Sequence, residues 1–407
     1  MIILYDNIIQ FKMVIYERKL LKEVRKWVDK KTIVVVTGMR RVGKTTLFKI
    51  IYNEIKSKNK VFLDIENPII QKLFQEENYD NIMLNLKQYG ISPEEKSYVF
   101  LDEIQALPEL AKSIKYLFDH YNIQFFLTGS SSFYIKNLFS ESLAGRKVIL
   151  ELFPLDFEEY LVFKEIKKER NEIFADKDKK KNYVSYQNLI KHFDEYIRFG
   201  GFPQVVLAKV NEEKAAHLDD IFKSYFEKDV KSLGDFKDLN SLRDVILLLM
   251  QRVGTKLNLS KIGAEIGITR QTLYSYLSFL ESTYFINLIS PLSNSVDKEV
   301  AGAKKVYLCD TGILAHFGRV SSGSLLENSV FTLIKNLDEV RYYQRRTGAE
   351  LDFILKNKKI AIEVKETGTN FDMASLNKLS KELKLKERYV ISKNFNKEKG
   401  FIPVTEL

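Results

Sequence analysis

A single cysteine, Cys309, stands in a chain of 407 residues. One thiol excludes an intramolecular disulfide and points to a reducing, cytoplasmic compartment. No apolar run approaches the roughly 20 residues that a membrane-spanning helix needs, so no membrane partner is expected. The stretch Met1 to Lys12 has Asp6 inside its apolar part and no small-residue cleavage site, which argues against a signal peptide; Met13 is an alternative start. The four histidines, His120, His192, His217 and His316, show no metal-ligand spacing with Cys309, and no zinc site is read. What remains is the balance of a soluble protein, 45% hydrophobic and 29% charged, at a length that calls for about two or three domains. The net charge of +10 admits nucleic acid as a partner, although lysine-rich turns spread along the chain also describe a solvated basic surface.

The most informative stretch is Ile33 to Thr46, IVVVTGMRRVGKTT. A β-branched run enters a loop of the pattern G-x-x-x-x-G-K-[ST] and a helical pattern follows, so that Gly38, Met39, Arg40, Arg41, Val42, Gly43, Lys44, Thr45 and Thr46 are the candidates to bind a nucleotide. Glycines let the backbone approach phosphate oxygens, and the N–H groups of the loop and helix start favour a polyphosphate. Lys44 is expected at the β- and γ-phosphates and Thr45 on magnesium.

Ahead of this loop, Glu17 to Asp29 reads as a helix. Beyond it, Val61 to Ile65 reads as a buried strand and Tyr98 to Glu103 as an apolar strand ending in two acids. Such a pair suits Asp102 to magnesium and Glu103 to orienting an attacking water. A further strand, Gln124 to Thr128, runs into Gly129-Ser130-Ser131-Ser132, where Ser130 and Thr128 are candidates to sense the γ-phosphate; the same run also describes a helix-capping turn. Arg146, in Leu143-Ala144-Gly145-Arg146, is a candidate to neutralise transition-state charge in cis or from a neighbouring subunit, or else a surface arginine. Strands alternating with helices predict an open parallel α/β sheet of the P-loop NTPase class. Neither an N-K-x-D guanine reader nor an L-S-G-G-Q signature follows the loop, so ATP is preferred to GTP.

These residues resemble a family of prokaryotic AAA-type ATP-binding proteins with a C-terminal domain of unknown function. The resemblance runs through GMRRVGKTT, VFLDEIQ, FFLTGSSS, AGRKVILELFPLDFEEY, FGGFPQVV, YFEKDV, KVYLCDTGIL and ELDFILKNKKIAIEVK in one collinear order. It implies ATP binding, hydrolysis with Mg2+, and a functional Arg146. The expected organisation is an AAA-type core over 13–150, a helical lid over 151–235, a winged helix-turn-helix over 236–295 and an α/β restriction-endonuclease-like domain over 296–407.

In the lid region the run Ala175 to Asn182 reads as a solvated loop, and Gly200-Gly201-Phe202-Pro203 as a tight turn, either a hinge or an ordinary connection. Between Leu257 and Leu292, Ser260 and Thr269 are expected to cap two helices separated by Gly267. Arg270, Gln271, Tyr274 and Ser275 would then face a DNA groove, if this module docks on double-stranded DNA rather than on protein. Further on, Asp352 with Glu363-x-Lys365 has the spacing of a PD-(D/E)xK nuclease core, to which Glu327 could add a ligand. A hairpin with a charged outer face has the same appearance. Asp310-Thr311-Gly312 reads as a structural turn rather than a protease loop. Three functions fit: an ATPase coupled to its C-terminal domains, an ATP-licensed DNA nuclease, or a non-hydrolytic ATP-binding scaffold. A homo-oligomer is compatible with each.

Overall fold

The computed structural model describes residues 16–130, 145–168, 173–231, 236, 238–293, 295–345 and 348–407. Expectations for Met1 to Lys12, Met13, Ser131, Ser132, Leu143 and Ala144 lie outside the described residues. Strands β1 (Ile33–Thr37), β2 (Lys60–Asp64), β3 (Ser97–Asp102), β4 (Ile123–Gly129) and β5 (Lys147–Glu151) form a parallel sheet in the order β2-β3-β4-β1-β5. Val34 and Val36 of β1 pack into one core with Phe48, Phe100 and Phe126, whereas Ile33 and Val35 face a second with Leu101, Ile114 and Leu117. Both faces are covered, which is why β1 is apolar at every position instead of alternating. The strand order sets β4 between β1 and β3, with Thr37 beside Gly129 and Leu101 beside Leu127. Three strand ends that are far apart in sequence therefore open onto one edge.

Helices Phe157–Phe163, Phe174–Lys180, Tyr183–Phe199, Pro203–Leu207 and Asn211–Ser224 come next. The charged run Ala175 to Asn182 is not a solvated loop: most of it is helix, with Lys177 and Asp178 buried. Lys177 Nζ donates to the Glu406 carbonyl at 2.6 Å, Lys181 Nζ to the Phe401 carbonyl at 2.6 Å, and Asp178 Oδ2 accepts from Gly400 N at 3.0 Å. These charges thus serve backbone groups in the last strand and on either side of it, a pairing that local composition does not register.

The Gly200–Pro203 turn is tied at both sides. Leu155 N donates to Gly201 O at 2.7 Å, and Gly201 N donates to Asp310 Oδ2 at 2.7 Å. Asp310 also caps helix Thr311–Phe317, accepting from Ile313 N at 3.1 Å. Burial pushes the Asp310 carboxyl up to about 6, against the opposing backbone donors of Gly201, Ile313 and Gly312. Since the folded chain keeps a proton that the unfolded chain releases near pH 4, this contribution is complete below about pH 4 and lost as pH rises through 6. It amounts to about 3 kcal/mol. Denaturant unfolding followed from pH 4 to 7 is expected to show a flatter stability profile for Asp310→Asn than for the parent; equal profiles would contradict this.

Three helices, Leu239–Gln251, Leu259–Ile266 and Arg270–Ser282, precede an antiparallel pair, β6 (Ile286–Ile289) and β7 (Lys305–Leu308). The short middle helix is capped by Asn258, whose Oδ1 accepts from Lys261 N at 3.0 Å, and Ser260 lies inside the first turn. Gly267 ends that helix and Thr269 caps the next. The β6–β7 pair crosses position 295, where the sequence pattern suggested a division. Helix Ser322–Ile334 then leads into β8 (Val340–Gln344), β9 (Glu350–Leu355) and β10 (Ile360–Lys365), all antiparallel. Helix Asn370–Glu382 carries the chain across to β11 (Glu387–Ser392), which lies parallel to β10, and β12 (Phe401–Pro403) closes the order β12-β11-β10-β9-β8. Among the described residues no helix is long and apolar enough to cross a membrane.

Candidate functional site

The loop after β1 is shaped by two close constraints. A Cβ on Gly38 would lie 2.0 Å from the Leu152 carbonyl oxygen, and Gly43, which precedes helix Lys44–Glu54, has φ of +99°. Only glycine meets both without strain. Met39 and Val42 are buried and anchor the loop. Beneath it sits an arginine that carries no sequence motif. Arg18 donates from Nη1 to Val42 O at 2.7 Å and from Nη2 to Phe153 O at 2.7 Å. Its Nε is 3.0 Å from Glu159 Oε1, with both side chains 7% exposed.

Lys44 is 4% exposed, and its Nζ donates to the carbonyls of Gly38 and Met39, each at 3.0 Å. Burial lowers the ammonium's pKa, and the nearby Glu103 and Asp229 oppose that shift. Thr45 Oγ1 donates to Asp102 Oδ2 at 2.7 Å, and Thr128 Oγ1 donates to Asp102 Oδ1. Burial raises the Asp102 pKa, with both hydroxyl donors opposing. Thr46 is exposed on the first turn of the helix.

Glu103 leaves β3 with φ of +53°, a left-handed conformation that a side chain rarely takes and that marks functional turns. Its N–H donates to Thr128 Oγ1 at 3.0 Å, and the Gln105 side-chain amide donates to its Oε2. Burial alone would raise the Glu103 pKa, but Lys44, Arg40 and Gln105 together hold it below the usual carboxylate value. Glu103 is therefore ionised at neutral pH. Gln105 also accepts from Ser130 N at 3.3 Å, linking the ends of β3 and β4.

Ser130 is buried, and its Oγ donates to Asp229 Oδ1 at 2.8 Å. Asp229 comes from a π-helical turn, Tyr225–Val230, that continues helix Asn211–Ser224. Arg40 reaches the same carboxylate, Nε to Oδ1 at 3.2 Å, and its Nη1 lies 3.4 Å from Glu66 Oε1 and 3.8 Å from Glu103 Oε1. Arg41 turns outward to Asp220. The only local trace of Asp229's placement is the run YFEKDV, which carries no chemistry by itself.

Arg146 is corrected as a residue acting in cis. It precedes β5, and its carbonyl accepts from Ile33 N at the start of β1. Because β1 and β5 are parallel, it sits at the amino end of the sheet, opposite Lys44 and Glu103. There its Nε is 2.8 Å from Asp119 Oδ1 at the surface.

The C-terminal acids gather around an unforeseen lysine. Lys305, on β7, lies 3.5 Å from Glu327 Oε1 and also pairs with Glu350; Tyr307 Oη donates to Glu327 at 2.6 Å. Asp352 Oδ2 accepts from Val364 N at 2.8 Å, and Lys365 Nζ is 2.7 Å from Glu363 Oε1. Burial, then the Asp352 carboxylate, push Glu327 and Glu363 each up to about 7. Among the described residues, no three His, Cys, Asp or Glu side chains converge as metal ligands. On helix Arg270–Ser282, Arg270, Gln271, Tyr274 and Ser275 share an exposed surface, and Arg270 stacks over the Tyr274 ring.

An AAA domain family matches residues 30–161, and two families described as domains of unknown function match 190–324 and 322–407. An uncharacterized protein of Methanocaldococcus jannaschii is 29% identical over 397 residues, covering 92% of this chain and 84% of its own. Another, of Haemophilus influenzae, is 26% identical, covering 85% and 84%. Among solved structures, a Walker-type ATPase of Pyrococcus abyssi aligns with a TM-score of 0.45 at 16% identity, over 74% of this chain and 96% of that one. The ORC1 protein of Aeropyrum pernix, solved with DNA, aligns with a TM-score of 0.33 at 12% identity, over 80% and 95%. The parallel sheet and its glycine-lysine-threonine loop thus lie in the stretch that is similar to an AAA domain, ahead of two stretches matched by families of unknown function.

Proposed function

We propose that this protein is a magnesium-dependent ATPase whose nucleotide state is passed to its C-terminal domains. One observation carries the reading: Lys44, Thr45, Asp102 and Glu103 meet at one sheet edge, with Thr128 and Ser130 between them. Lys44 would exchange the carbonyls of Gly38 and Met39 for phosphate oxygens. Thr45 and Asp102, already in contact, are the groups that would hold magnesium, which when bound neutralises charge on the triphosphate. Glu103, ionised and fixed by Thr128 and Gln105, orients the attacking water and accepts its proton. Ser130 places a hydroxyl donor at the same edge.

The helices between Phe157 and Ser224 are read as a lid, and the three helices with the β6–β7 pair as a winged helix that offers Arg270, Gln271, Tyr274 and Ser275 to double-stranded DNA. A second reading, DNA cleavage licensed by ATP, is favoured by Asp352 on β9, which accepts from Val364 N of β10, beside the paired Glu363 and Lys365 of that strand. One experiment weighs both: phosphate release from ATP with magnesium or with chelator, with and without supercoiled DNA recovered for gel analysis. Saturable, magnesium-dependent release is expected. No release above the blank would contradict the ATPase, and intact DNA under every condition would retire cleavage.

A further inference from the structure

The contact between Asp229 and the nucleotide loop has a chemistry that the hydrolytic set does not use. A π turn carries an extra residue per turn, which rotates the residues beyond it, and such turns are frequent at functional sites. Here the turn Tyr225–Val230 sets Asp229, 2% exposed, against the loop and the end of β4. One carboxylate oxygen is fully engaged, accepting from Ser130 Oγ at 2.8 Å and Arg40 Nε at 3.2 Å. The other, Oδ2, is buried without a hydrogen-bond partner. A buried acid left half satisfied is costly, so its position needs the cations that face it. Those are Arg40 and Lys44, and Glu103 is the opposing anion. Glu66 and Glu103 compete with Asp229 for Arg40. Lys228, 3.5 Å from Glu66, is a third cation of the set, so the three acids Asp229, Glu66 and Glu103 offset the three cations just where a polyanion is to bind.

Resting on the ATPase reading, we propose that Asp229 is the group by which residues 190–324 distinguish a bound triphosphate from a diphosphate. The terminal phosphate of a nucleoside triphosphate is an anion that seeks the same donors, Arg40, Ser130 and Lys44. It and the Asp229 carboxylate therefore exclude one another by competition for donors and by like-charge repulsion. A diphosphate lacks that phosphate and leaves the Arg40–Asp229 pair in place. Triphosphate binding thus releases Asp229, and with it the turn and the helix Asn211–Ser224, whereas phosphate loss draws them back. Differential contact of this kind is what allows a ligand to shift one conformation over another.

The test compares the affinity of the full chain for magnesium–ADP and for a magnesium-bound non-hydrolysable ATP analogue, in the parent and in Asp229→Asn. The amide keeps the shape and the acceptor for Ser130 but removes the charge. The triphosphate analogue is expected to tighten about tenfold or more while ADP affinity stays within about twofold. An unchanged ratio, or a weakened triphosphate, overturns the proposal. Hydrogen exchange on the unmodified protein provides a check that needs no variant: amides of residues 211–231 are expected to exchange faster with the analogue than with ADP, and equal exchange overturns it. If the parent binds neither nucleotide, the ATPase reading falls as well; if it binds both but ratio and exchange do not respond, only the role of Asp229 falls.

Discussion

Glu103→Gln is expected to slow ATP hydrolysis by about 100-fold or more while leaving ATP affinity within about threefold. The amide fills the same volume and can still accept the Gln105 hydrogen bond, so the left-handed turn that presents it keeps its support. What is lost is the proton acceptor. Lys44, Arg40 and Gln105 outweigh its burial and hold the carboxylate below its usual value. Lys44→Ala is expected to act differently, removing the cation that faces the phosphates and so weakening ATP binding itself. Phosphate release and nucleotide affinity measured side by side separate the two. Parent-like turnover in Glu103→Gln would remove this residue from the chemistry.

The second large effect lies outside the loop. Arg18→Met is expected to destabilise the fold by about 3–5 kcal/mol, because it leaves Glu159 buried and unpaired. It also removes the donors to Val42 O and Phe153 O, so the P-loop loses its brace and ATP affinity falls with stability. Adding Glu159→Gln to Arg18→Met is expected to recover part of the stability, since no uncompensated charge then remains. Denaturant unfolding of the single and double variants measures both quantities. A loss below about 1 kcal/mol in Arg18→Met would mean that water reaches the pair and that the brace is not needed.

Much of the nucleotide loop could be read because its requirements are local. Close approach to phosphate needs glycines at fixed spacing, and a doubly covered strand is apolar at every position, so Gly38, Gly43 and the run into them reveal themselves. The same holds for Asp102 and Glu103 at the end of β3. Periodicity reports which side of an element is buried and not what covers it. Hence Asp229, Arg18 with Glu159, and Lys305 went unread: each acts on a partner brought near only by the sheet order or by packing between domains. Arg146 shows the reverse error. Being close in sequence to the core suggested the active edge, but a residue that precedes a parallel strand stands at the inactive end. The lysines of Ala175 to Asn182 misled for a related reason, since charge looks solvated until the carbonyls that receive it are in place.

Equilibrium binding of ATP to the full chain, with magnesium and then with chelator, tests the P-loop reading most directly. Saturable binding at micromolar ATP is expected, weakened by the chelator and lost in Lys44→Ala. No binding by the parent, or the same binding after Lys44 is removed, would show that this lysine holds its own loop closed and grips no phosphate.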